Sequence, residues 1–144
     1  MLEKIKNAIF AKYPKTDCRW VFLSAFGQNN EVLVSTWVLY PDKSLDDVLN
    51  TIYYWLIDKK PGLQTVVADI VTEVKEISDV AEIQTISVKD YGIAVVENMK
   101  SGVLLPNTKW VTDPMQWIQY VKQKNSLSWN AKILTFKTER FVIN

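Results

Sequence analysis

The sequence predicts an α+β fold, a mainly antiparallel sheet carrying about three helices, on three observations. Two pairs of short apolar runs flank turn residues, as hairpins do; three other segments repeat their apolar residues at helical spacing; and strands and helices are interspersed without repeated crossover units. No linker, internal repeat or low-complexity stretch divides the chain, so a single domain over residues 1–144 is expected.

Leu2, Ile5, Ile9 and Phe10 repeat at helical spacing and form a first helix, broken by Pro14 and the polar residues after it. "RWVFLSAF" and "NEVLVSTWVLYP" read as two strands joined at "GQNN", where Gly27 and the asparagines supply the turn; Val21 to Phe26 and Val32 to Leu39 are expected to be neighbours. Ser44 is a candidate N-cap, Asp46 and Asp47 complement the first turn, and Leu45, Val48, Leu49, Ile52, Trp55 and Leu56 share one face of a helix closed by Lys59, Lys60 and Pro61. "TVVADIVTEVKEI" alternates as a strand with one partly charged face. The segment 78–89 is weakly patterned and reads as a short helix or an irregular loop. A second hairpin surrounds "ENMKSG". Asp113 and Pro114 then open a helix through Trp117, Ile118 and Val121 that ends near Asn125, and "AKILTFKTERFVI" is a last strand.

Composition excludes several function classes. Lys plus Arg number 17 against 16 for Asp plus Glu, without the basic footprint of a nucleic-acid binder. The longest apolar run, "WVFLSAF", is strand-sized, so no membrane span is expected, and the N-terminus lacks the pattern of a secretory signal. With no histidine and Cys18 alone, zinc and haem sites are not expected, no internal disulfide can form, and a reducing cytoplasm is the natural compartment. No loop has the carboxylate spacing of a calcium site, and no cofactor is implied. Cys18 reads as a small packed residue rather than a nucleophile. Asp46 with Asp47, and Lys122, Lys124 and Lys132, read as ordinary helix-end and solvated charges.

The element order, with "YGIAVVENMKSGVLLP", "DPMQWIQYVKQKNSLS" and "ILTFKTERF", resembles the AMME chromosomal region (AMMECR-type) family from about Cys18 to the C-terminus. The family's Gly-Leu-Leu-Leu-Pro step is matched by Gly102, Val103, Leu104, Leu105 and Pro106, and its following helix by Asp113 to Lys124. Leu39 and Pro41 keep a second family spacing. The family's signature strand Leu-Arg-Gly-Cys-Ile-Gly departs: Leu33, Val34, Ser35, Thr36 and Trp37 stand where Arg, Gly, Cys, Ile and Gly are found. The resemblance places any ligand site at the edge formed by Cys18, Arg19, Ser35 and Thr36, where hydroxyls and a guanidinium could converge. With no histidine to act as base, Ser35 suits binding better than covalent chemistry. The resemblance also implies Memo-like or radical SAM proteins as partner classes.

The tryptophans carry a further expectation. Trp20, Trp37, Trp110 and Trp129 fall where the family pattern or local turn chemistry takes glycine, and the chain has 4 glycines where average usage gives about ten. A bacterial source gene that spells glycine with UGA, here read as tryptophan, would account for both. Native tryptophans serving as strand or interface residues are the alternative. On the glycine reading Trp110 and Trp129 lie exposed in loops, while Trp55 and Trp117, on apolar helix faces, are buried. Three functions are therefore weighed: an accessory binding module, an enzyme or binder of a small polar or nucleotide-like ligand near Arg19 and Ser35, and an interaction protein using exposed tryptophans.

Overall fold

The computed structural model describes residues 1–39 and 42–144, so the Pro41 half of the family spacing lies outside the described residues. The elements run α1 (Leu2–Phe10), β1 (Val21–Phe26), β2 (Val32–Val38), α2 (Leu45–Ile52) continuing into a π-helical turn (Tyr53–Ile57), β3 (Thr65–Ile77), α3 (Val80–Gln84), β4 (Gly92–Glu97), β5 (Lys100–Leu104), α4 (Pro114–Lys124) and β6 (Lys132–Ile143). The strands hydrogen-bond in the order β2-β1-β3-β6-β4-β5, and β1 with β2 and β3, and β4 with β5 and β6, are antiparallel. The fold is the expected α+β, with both hairpins in place. The ambiguous segment after Ile77 contains the five-residue α3, N-capped by the Asp79 carboxylate accepting from Ala81 N–H. Among the described residues no helix is long and apolar enough to cross a membrane.

The chain gathers into two compact units. The first comprises Met1–Val71 with Glu139–Asn144, and the second Thr72–Thr138. In the first, strand alternation sends Val21, Leu23 and Ala25 of β1, and Val66, Ala68 and Ile70 of β3, to one face. There they bury Ile5 and Ile9 of α1 and Leu45, Leu49 and Ile52 of α2. The opposite face carries Phe22 across from Trp37 and Asp69, and Ser24 across from Ser35. Asp69, only 3% exposed, accepts both arms of the Arg140 guanidinium at 2.9 and 3.1 Å.

In the second unit Ile93 and Val95 of β4 and Ile133 of β6 pack with Trp117, Ile118 and Val121 of α4. Asp113 caps α4 by accepting from Met115 and Gln116 N–H, and Pro114 fills the first helical position, where its missing N–H costs nothing. Gly102, the glycine of the family step, has a physical reason: a Cβ there would stand 2.6 Å from a methyl of Val121, so α4 lies directly on β5.

One helix departs from its sequence pattern. An unbroken α-helix would put Trp55 on the buried face with Ile52, but Trp55 is 75% exposed, while Tyr53 and Ile57 are buried. Asp58 N–H donates to the carbonyl five residues back, Tyr53 O, at 2.8 Å. That wide turn changes the phase of the side chains, so Ile52 and Ile57, five apart, both face inward and the ring between them turns to water. Ile57→Ala is therefore expected to lower stability by about 2–5 kcal/mol, and Trp55→Ala to change it by less than about 0.5 kcal/mol. Urea denaturation of the two variants checks this. A loss above about 2 kcal/mol for Trp55→Ala, the scale of a lost buried side chain, would restore the unbroken helix.

Candidate functional site

The four residues expected to converge are distributed by the geometry of β1, β2 and the segment before them. Arg19 precedes β1 and is half-buried. Its Nε donates to Asp17 Oδ2 at 3.1 Å, its Nη1 donates to the carbonyl of Val71 at 3.1 Å, and its guanidinium stacks 4.7 Å from the centroid of Tyr13. These contacts make Arg19 a brace. Cys18 is exposed, against its reading as a packed residue, because β1 begins only at Val21 and Cys18 lies in the unpaired approach to it.

Ser35 and Thr36 follow one another on a strand and so point to opposite faces. Ser35 lies opposite Ser24, their hydroxyl oxygens 3.0 Å apart on the exposed surface, whereas Thr36 lies opposite Leu23, a core residue. Ser35 and Thr36 therefore do not present their hydroxyls to one ligand.

Beside Arg19 a small network forms around Glu139. Tyr13 donates its hydroxyl to Glu139 Oε1 at 2.6 Å, and Lys12 pairs with the other carboxylate oxygen. Burial first, and then the bond to Glu139, push the Tyr13 phenol up to about 12, with Arg19 opposing. Lys12 and Tyr13, as donors, hold Glu139 below the ordinary carboxylate value.

The second unit holds two clefts. One, of about 290 Å³, is lined by Trp110, Val111, Thr112, Asp113, Gln116, Trp117 and Tyr120. Trp110 is 77% exposed and forms an outer wall in the turn before α4, Trp117 is buried, and Lys124 sits 5.8 Å from the Tyr120 ring. The other, of about 340 Å³, lies where β3 and β6 meet α3 and the loop after it; Glu73, Lys75, Glu82, Ser87, Tyr91 and Thr135 are its polar lining. Sequence reasoning missed this second cleft. Its only local signal was the alternating charge of Glu73 and Lys75, because Thr135 reaches it from the far end of the chain.

The tryptophans answer their expectation in part. Trp110 and Trp129 are exposed in turns and Trp117 is buried, as expected, whereas Trp20 is buried and Trp37, on β2, is 39% exposed. Positive φ among non-glycine residues is found at Asn30, Asn98, Asn107 and Ser126, so none of the tryptophans occupies a left-handed backbone position that would favour glycine.

An antiparallel α+β domain with this strand order, and with the Gly102–Pro106 step packed under α4, is of AMMECR type. The AMMECR1 family model matches residues 63–142, more than half of the chain, and the chain belongs to that family. It is similar to the crystal structure of the uncharacterized protein PH0010 from Pyrococcus horikoshii, at 18% identity and a TM-score of 0.70 over 90% of this chain and 76% of that one, a likeness of fold. No curated protein matches the chain.

The Tyr13–Glu139 pair makes a pH prediction with opposite limbs. A phenol whose pKa is raised on folding from the ordinary 10.0 to about 12 contributes fully below pH 10, and its contribution is lost as pH rises toward 12. Glu139, lowered on folding, contributes above its unfolded value and loses that contribution as pH falls through its folded one. Tyr13→Phe should therefore remove part of the alkaline loss of stability and Glu139→Gln part of the acid loss, read as denaturation midpoint against pH. Variant profiles parallel to wild type on both limbs would mean the network contributes nothing.

Proposed function

We propose that this AMMECR1-family chain is an accessory binding module that docks a peptide segment of a partner protein in the aromatic cleft at the start of α4. The observation that carries the reading is Trp110: an indole 77% exposed beside a concavity whose other wall is Trp117 and Tyr120. Rigid aromatic rings contribute large contact area at low entropic cost and dominate the energetics of interfaces. The Asp113 cap and Pro114 fix the first turn of α4, so the cleft is presented by a held backbone. A peptide with one apolar or aromatic anchor fits this wall. Memo-like and radical SAM proteins are the partner classes the family resemblance nominates, and a bacterial cytoplasm is the compartment that suits the exposed Cys18 thiol.

The glycine reading bears on the same residue. The exposed, turn-bound positions of Trp110 and Trp129 support UGA-encoded glycine, and their ordinary φ removes the strain that would have required it. Sequencing the four codons decides it: UGA at position 110 would take away the cleft's outer wall and this docking mode with it.

Peptides selected on the purified protein from a displayed library, and purified Memo-like and radical SAM proteins, are the binding partners to titrate. Binding should weaken at least about tenfold, roughly 1.4 kcal/mol, in Trp110→Ala and in Tyr120→Ala. Affinities unchanged in both variants would refute docking at this cleft.

A further inference from the structure

The polar cleft of the second unit owes nothing to the tryptophans, and its lining is chemically specific. Glu73, Lys75 and Ile77 alternate along β3 and so share a face, with Thr135 of β6 beside them. Across the cleft α3 supplies Glu82, and the loop after it supplies Thr85, Ile86, Ser87 and Tyr91. The result is an apolar floor of Ile77 and Ile86 with one ammonium, two carboxylates and four hydroxyls, one of them the Tyr91 phenol, above it.

The charges are weakly committed to each other. Lys75 Nζ stands 3.8 Å from Glu82 Oε2, at the outer limit of an ion pair, and both side chains are more than half exposed. A ligand bearing both signs can replace that contact without leaving either charge unpaired. Tyr91 forms an aromatic wall braced by Lys137, whose ammonium lies 4.9 Å from the ring centroid.

Thr135 is the independent observation. Its side chain lines the cleft, yet the residue is only 5% exposed, and its hydroxyl reaches Lys75 O at 3.5 Å, the far edge of hydrogen-bonding distance. A buried hydroxyl held by so long a bond retains the capacity to accept, and a better acceptor for its proton would improve its lot. Thr85 and Ser87, by contrast, donate locally, to Glu82 O at 2.8 Å and Asp90 Oδ2 at 2.9 Å, which fixes the loop that closes the site.

We propose that this cleft binds a small zwitterionic amine, a free α-amino acid. Its ammonium is held by the carboxylates of Glu73 and Glu82, its carboxylate by Lys75 and the Thr135 hydroxyl, and its side chain by Ile77, Ile86 and Tyr91. A volume of about 340 Å³ accommodates one such molecule with water and is at the lower end of ligand cavities. An inorganic anion would meet two carboxylates beside a single ammonium, and a bare cation would meet Lys75. A molecule with both charges satisfies both.

The test is ligand-observed NMR on the purified protein with the twenty L-α-amino acids, each against its N-acetyl and its amide derivative. The expected result is saturation transfer to at least one amino acid, lost on acetylation and on amidation alike, and at least tenfold weaker binding in Lys75→Met, Glu82→Gln and Thr135→Val. Lys75 and Glu82 are exposed and Thr135→Val preserves shape, and circular dichroism of each variant confirms that the fold is kept. No transfer to any amino acid at millimolar concentration overturns the proposal. So does binding that survives acetylation and amidation, or binding indifferent to all three substitutions. Trp110→Ala should leave amino-acid binding unchanged, so failure at the aromatic cleft and failure here are separate results.

Discussion

Asp69 can stay where it is only because Arg140 meets it. A carboxylate 3% exposed on a central strand would lose its hydration with no return, and the two-armed bond from Arg140 at 2.9 and 3.1 Å replaces that hydration with charged donors. The guanidinium remains about half exposed, so only one of the two charges bears a large desolvation cost. The pair also fixes register. A slip of one residue along β3 would turn Asp69 into the face where Val66, Ala68 and Ile70 pack against the first two helices, and Asp69 would face hydrocarbon. In the present register Phe22 and Trp37 follow on the same face as Asp69, and β1 and β2 take their places from it.

The same strand changes character along its length. From Val66 to Val71 β3 is buried on nearly every residue, while Thr72, Glu73, Val74, Lys75 and Glu76 are exposed before Ile77 closes the strand. A strand buried on both faces cannot hold a polar site without a pair such as Asp69 and Arg140. A strand that leaves its apolar surroundings part-way supplies charged side chains from a rigid backbone, which favours precise sites. Glu73 and Lys75 stand on that exposed stretch, and this is why the polar cleft lies against β3 rather than around Ser35.

What the sequence made legible follows from which signals are local. Both hairpins, the caps Ser44 and Asp113, and the faces of the first and last helices were readable because each depends on residues within a few positions. The π-helical turn was not: "YYWLI" is apolar throughout, so nothing in its pattern says where the phase changes, and an unbroken helical repeat puts Trp55 on the wrong face. Ser35 and Thr36 share a chemistry but not a face, because strand alternation separates adjacent residues. Cys18 reads as packed because free cysteine is usually buried, but it precedes the first strand and is exposed. The polar cleft was illegible for a different reason: Lys75, Glu82, Tyr91 and Thr135 span some sixty positions and meet only after β3 and β6 are brought together.

The region that matches the family, residues 63–142, begins after β2 and contains every residue of both clefts. The strand that departs from the family signature, with Ser35, Thr36 and Trp37, lies before it. A chain can keep this fold at 18% identity to PH0010 because the sheet asks only for apolar alternation and a few close approaches, such as Gly102 under Val121. Those demands explain Ile93, Val95, Ile133 and Trp117. They do not explain a lysine between two glutamates facing a buried threonine hydroxyl, or an indole left in water beside another. Residues that the fold does not require, gathered at concave places on elements that the fold holds rigid, are where the function of this chain is to be sought.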